Sequence, residues 1–320
     1  MTNVRGYVLF EVLIGAAIAC GTCAVLFRLA GAAQAAVSVQ GDAAEQQQRL
    51  RVATEALRHD LMAAGAGPSH GAAHGPLIRV FPPIVPARIG DLNPDPELTA
   101  RGDRLSIVFV PETRAQATLR SAMASASSAL AIDGTPVCTP GTACDFLPGD
   151  RAIVYDPSTE GAADEFLTIG AVDTARDLLV PLAPLTRAYT AGARVARVVI
   201  RVYHLDAAGK RLMVYDGERS DLPLIDRVVD MRVTYFVDPR PDALRSIPLS
   251  DLGGTAPRPL TLAQLTDGPF AGQPPNRFDA DLLRIRRVQI TLKLQTESAA
   301  GPIRDLDTSI VVSPPNMGPR

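Results

Sequence analysis

Hydrophobic and polar positions fall into two regimes along the chain, one nearly free of charge and one alternating with a period of two. From Tyr7 to Ala36 the only charges are Glu11 and Arg28, and Val12–Phe27 carries none. Counted with Tyr7–Phe10, the apolar run reaches about twenty residues, the length at which an α-helix crosses the hydrocarbon layer of a bilayer. Gln34–Met62 contains no Pro; Leu50, Ala53, Leu57 and Leu61 recur at helical spacing, while Arg49, Glu55, Arg58 and Asp60 fall elsewhere on the wheel. Gly65 and Gly67, followed by Pro68, end the pattern. One long helix is therefore predicted, membrane-spanning over residues 7–29 and amphipathic over 30–64, with Gly41 as a soft point.

Alternation takes over after a Pro-rich, irregular connector at 65–100, in a β-rich head spanning 101–320. Leu105, Ile107 and Phe109 alternate around Ser106 and Val108, and Arg151–Tyr155 and Phe166–Val172 are short β candidates. Across Ala193–Leu205 one face holds Ala196, Val198, Ile200 and Val202, and the other Arg197 and Arg201. Asp206–Gly209 supplies turn chemistry, and Arg211–Tyr215 returns as the second arm of a hairpin. Met231–Val237 and Val288–Gln295 alternate as well, the latter slipping phase at Arg286–Arg287, as a bulge would; Ser309–Val312 closes the sheet. One-sided alternation predicts antiparallel strands with one face covered by the long helix, an α+β fold. Ser121–Ala131, an Ala/Ser run, reads as a short helix or mobile loop. The Pro-rich stretch at about 239–281 reads as an irregular insert on the surface.

Composition narrows the function. A net charge of -2 and an aromatic share of 5% without Trp give no electrostatic footprint or stacking platform for nucleic acid. Cys20 and Cys23 lie in the apolar helix and read as small hydrophobes. Cys138 and Cys144 bracket a turn-forming Thr-Pro-Gly-Thr-Ala stretch and are predicted to form a disulfide in an oxidising compartment. Their spacing is not that of a zinc site, and no metal or cofactor is expected. His70 and His74 sit in a Gly/Ala/Pro-rich loop without the Glu a metalloprotease helix needs. His59 reads as a solvated helix residue. His204 neighbours Asp206 without a recognisable nucleophile, and Asp279 and Asp281 match only a fragment of a calcium loop. No catalytic residue is assigned, and an enzyme is not expected.

The first eleven residues carry the most specific signal. Gly6-Tyr7-Val8-Leu9-Phe10-Glu11, preceded by Arg5, resembles the type III signal of prepilins: a short basic leader ending in Gly, an aromatic, apolar residues, and Glu at the fifth mature position. Tyr7 stands where the family usually has Phe, and Val8 where it has Ser or Thr. The resemblance implies removal of residues 1–6 by prepilin peptidase after Gly6 and N-methylation of Tyr7. It also gives Glu11 the role of pairing with the freed amine of a neighbouring subunit and setting the assembly register. The run at Arg51–Gly67 and the strand order of the head are similar to PilW-like minor pilins. The function implied by the resemblance is that of a minor pilin-like structural subunit in type IV pilus assembly. It would sit in the inner membrane by a single pass, with its head in the periplasm, and enter a pilus or pseudopilus. Its partners would be prepilin peptidase, other minor and major pilins, the inner-membrane assembly platform and the lipid bilayer. A J-type pseudopilin of a type II secretion system shares these features. A secretory signal peptide, or a plain anchor on a periplasmic binding protein or enzyme, are the readings from other classes.

Overall fold

The computed structural model describes residues 4–67, 77, 81–134, 138, 141–156, 165–239, 249–272, 277–296 and 304–317; for 4–10, 32–43, 134, 296 and 304 it describes the backbone alone. Helix α1 runs over Val4–Ala63, sixty residues, and stays helical through Gly41. In chain order the strands are β1 (Ile84–Val85), β2 (Arg104–Phe109), β3 (Gln116–Leu119), β4 (Leu130–Gly134), β5 (Arg151–Tyr155) and β6 (Glu165–Asp173). They continue with β7 (Leu178–Pro181), β8 (Arg194–Arg197), β9 (Val199–Asp206), β10 (Arg211–Tyr215), β11 (Asp221–Asp226) and β12 (Val228–Val237). The last are β13 (Arg258–Leu260), β14 (Phe270–Ala271), β15 (Phe278–Asp279), β16 (Ile285–Thr296) and β17 (Arg304–Val312).

These strands overturn the expected α+β head, a long helix laid on one antiparallel sheet. The chain is mostly β and builds several separate sheets. One is five-stranded in the order β1-β2-β9-β10-β11; a second is four-stranded, β13-β12-β16-β17; β14 and β15 form a ribbon. Six strands, β3-β4-β7-β6-β5-β8, close into a barrel. Alternation marks which side chains face inward but does not say which strands are partners, so it cannot separate one sheet from three. Five of the six barrel strands have only four or five residues each, and in β3, β4 and β7 no period of two stands out.

The stretch that reads as one strand at Ala193–Leu205 shows this most directly. Ala196, Val198, Ile200 and Val202 are all buried, as their shared face requires. Their partners, however, change at Val198: β8 pairs with β3 and β5 of the barrel, and β9 with β2 and β10 of the five-stranded sheet. All six barrel strands lie between β2 and β9 in sequence, while β2 and β9 themselves pair, Phe109 opposite Val199. The barrel has its own core, in which Leu130, Ile132, Val154, Ile169, Leu179 and Val195 fill the interior, as a barrel this narrow must.

Two compact units result, Met1–Val52 with Gln295–Leu306, and Ala53–Leu294 with Asp307–Arg320. Within the second, the end of α1 buries Ala53, Leu57 and Leu61 completely. Gly65 adopts φ +73° just past the helix and donates its N–H to the Val108 carbonyl at 3.1 Å, the positive φ that glycine supplies without strain. The phase slip at Arg286 is a true register shift: Phe236 pairs with Arg287, but Val237 pairs with Ile285.

The irregular insert is largely built structure where it is described. β13 extends the four-stranded sheet, and the 3-10 turn Ala280–Arg284 is wholly buried. Arg284 donates to the Ser250 and Pro239 carbonyls at 2.7 and 2.9 Å and pairs with Asp281 at 3.2 Å. Ser121–Ala131 contains turns and bends rather than a helix until Leu130 opens β4.

Candidate functional site: an exposed apolar helix

Glu11–Gly31 is the stretch of α1 long and apolar enough to cross a membrane, 21 residues with a mean hydropathy of 2.1, none of it buried within the molecule. Val12, Leu13, Ile18, Val25, Leu26, Phe27 and Leu29 are each more than half exposed, Phe27 reaching 79%. Each such side chain left in water forgoes roughly 1.5–3 kcal/mol of burial, as expected of either a membrane anchor or a signal sequence. Its one internal hydroxyl is already satisfied, Thr22 Oγ1 donating to the Ile18 and Ala19 carbonyls at 3.0 and 2.9 Å. A helix presented to hydrocarbon needs that closure of its polar groups.

Glu11 opens this span. It is exposed and has no hydrogen-bond or ion-pair partner among the described residues. A carboxylate at bilayer depth costs roughly 2.5–3.5 kcal/mol, and no described residue offsets that cost for Glu11. Gly6 and Tyr7 lie one turn earlier on the same helix; their backbone is helical, and their side chains fall outside the described residues, as do the leader residues 1–3. Cys20 and Cys23 are free thiols on the exposed span.

The second cysteine pair is bonded, Cys138 to Cys144. Cys144 is buried in the barrel core beside Phe146. The turn holding it is fixed from outside by Asp177, whose carboxylate accepts the Ala143 N–H at 3.0 Å.

The remaining candidates resolve into structural networks. His204 meets Asp221 at 3.0 Å and the buried Arg88 guanidinium at 2.8 Å, and no Ser or Cys nucleophile joins them among the described residues. Arg88 also stacks 4.4 Å over the Tyr215 ring. His59 sits at 3.2 Å from Asp60 on the helix surface, and His70 and His74 lie outside the described residues. Asp279 caps the buried 3-10 turn by accepting the Asp281 N–H at 2.9 Å, and Asp281 is committed to Arg284. Burial pushes the Asp279 carboxyl upward, against the two backbone N–H groups that hold it down. No group of three or more metal-ligating side chains occurs among the described residues. Sequence reading missed the Arg88–His204–Asp221 cluster because its members lie 17 to 133 residues apart, and no local pattern links them. Comparison with protein-family models, with curated proteins and with solved structures found no match to this chain.

Proposed function

We propose that this protein is a pilin-like subunit of a membrane-assembled filament, resembling a minor pilin, held in the inner membrane by α1 with its β-rich part in the periplasm. The observation that carries the reading is Glu11, without a partner among the described residues, at the head of an exposed apolar helix and five residues after Gly6 in a prepilin-like sequence. Cleavage after Gly6 frees an amine at Tyr7, one helical turn from Glu11 on the same face. In a bundle of such helices the amine of one subunit neutralises Glu11 of the next. This satisfies both charges in lipid and admits only the axial offset that brings them together. Arg5, ahead of the span, suits a cytoplasmic start, where the peptidase works.

N-terminal sequencing and intact mass of protein purified from the producing cell test the first step: a chain beginning at methylated Tyr7 is expected, and one beginning at Met1 refutes the proposal. Glu11→Ala is expected to leave cleavage intact and to cut incorporation into filaments severely. Unaltered assembly would remove the role assigned to that carboxylate.

A further inference from the structure

A cavity of about 510 Å³ opens beside the barrel, within the roughly 300–1,000 Å³ typical of small-molecule sites. Its floor is aromatic: Phe81 packs edge-on against Phe166 at 4.9 Å and against Phe278 at 5.6 Å between ring centroids. Each ring comes from a different part of the chain: the connector, barrel strand β6, and the insert ribbon. The walls are preformed. Gly90, on the connector side, has φ +125°, and a Cβ there would stand 2.6 Å from the Gly217 carbonyl. The Tyr215 hydroxyl accepts the Asp91 and Leu92 N–H groups at 2.9 and 2.8 Å. On the insert side, Asp279 accepts the Gly268 N–H at 2.7 Å, and the Ala280 N–H reaches the Pro269 carbonyl at 2.8 Å.

Five carboxylates and the guanidiniums of Arg151 and Arg277 line the cavity, and most of that charge is compensated in place, Asp95 alone facing both Arg104 and, at 3.7 Å, Arg101. Asp91 is paired with Arg151, Asp95 with Arg104 at 2.9 Å, and Glu165 accepts the Thr186 N–H and hydroxyl. Arg277 lies over the Phe270 ring, 5.0 Å from its centroid. Glu97 is exposed at the rim and has no partner among the described residues. We infer that this cavity binds a small organic cation with an aromatic or branched aliphatic body, the body on the phenylalanine floor and the cation facing Glu97. An anionic ligand of the same shape sets its charge against Glu97 and is disfavoured.

The test uses the full chain in phosphatidylcholine nanodiscs, with empty discs as reference and saturation-transfer NMR as readout. Phenethylammonium and 3-phenylpropanoate are the probes, similar in body and opposite in charge. The ammonium is expected to bind saturably and at least about threefold more tightly, the scale of one exposed charge pair. Glu97→Gln should bring the two probes together. Ala183→Trp, an exposed position on the cavity wall, should remove binding of both at an unchanged melting temperature. Absence of saturable binding above empty discs, equal or tighter binding of the carboxylate, or binding that survives Ala183→Trp would each overturn the inference. A charge preference that survives Glu97→Gln overturns the placement of the cation.

Discussion

Asp60 lies on the last turns of α1, seven residues after Ala53 and three after Leu57, which sets it at the edge of the buried face. In the structure its Oδ2 accepts the hydroxyl of Tyr203 at 2.7 Å, from a residue 143 positions away. Burial first, and Asp60 second, push the Tyr203 hydroxyl far above its ordinary titration, so it remains a donor throughout the accessible pH range. Tyr203→Phe is expected to cost about 1–2 kcal/mol by stranding a half-buried carboxylate, read as a lowered denaturation midpoint. Asp216 offers a pH-dependent counterpart. Burial alone would raise its carboxyl, but the N–H groups of Glu218, Ser220 and Arg219 together outweigh burial and hold it below its ordinary value of 3.8. A lowered folded-state pKa stabilises the fold above about pH 4, and that contribution disappears as pH falls through the folded value. Asp216→Ala should therefore cost less than about 1 kcal/mol near neutral pH, solvent screening this largely exposed carboxylate, and progressively less below pH 4 in parallel chemical denaturation series. At this scale the sequence is legible where spacing decides burial, as for Ala53, Leu57 and Leu61. It is opaque where one polar side chain answers another across the chain.

Elements were legible where their apolar residues form a pattern. β16 and β2 appear in the alternation of apolar residues, the five-residue β5 in its apolar run, and α1 in its unbroken helical stretch. β3, β4 and β7 carry no such pattern, and their identity as strands comes from barrel closure. The insert escaped for another reason: its order rests on Arg284, Asp281 and Ser250, a tertiary knot with no periodic trace. The disulfide belongs at this scale too. It bridges a separation of six residues, and chain-entropy arguments give a loop this short about 2 kcal/mol. Reduction is expected to add two alkylation labels by intact mass and to lower the unfolding midpoint of the barrel. A mass unchanged by reduction and labelling would remove the bond.

At the scale of the whole molecule, the apolar residues of α1 announced a helix long enough to cross a membrane, whereas the division of the β-rich part was hidden. The barrel core lies entirely between Ala115 and Val195, so its stabilising contacts are local to about eighty residues, the size of an ordinary small domain. Residues 110–198 expressed alone in an oxidising compartment are expected to fold, giving a cooperative thermal transition and a protected disulfide. A non-cooperative melt would mean that the barrel depends on its neighbours.

The pairing of Phe109 with Val199 has an evolutionary consequence. Strands β2 and β9 meet as the two arms of a hairpin would, and the barrel hangs where the tip of that hairpin would be. A guest tethered at two adjacent points can be swapped or shed without retracing the host. The stretch between these arms is therefore free to be a bare turn or an unrelated module without disturbing the pairing of the host sheet.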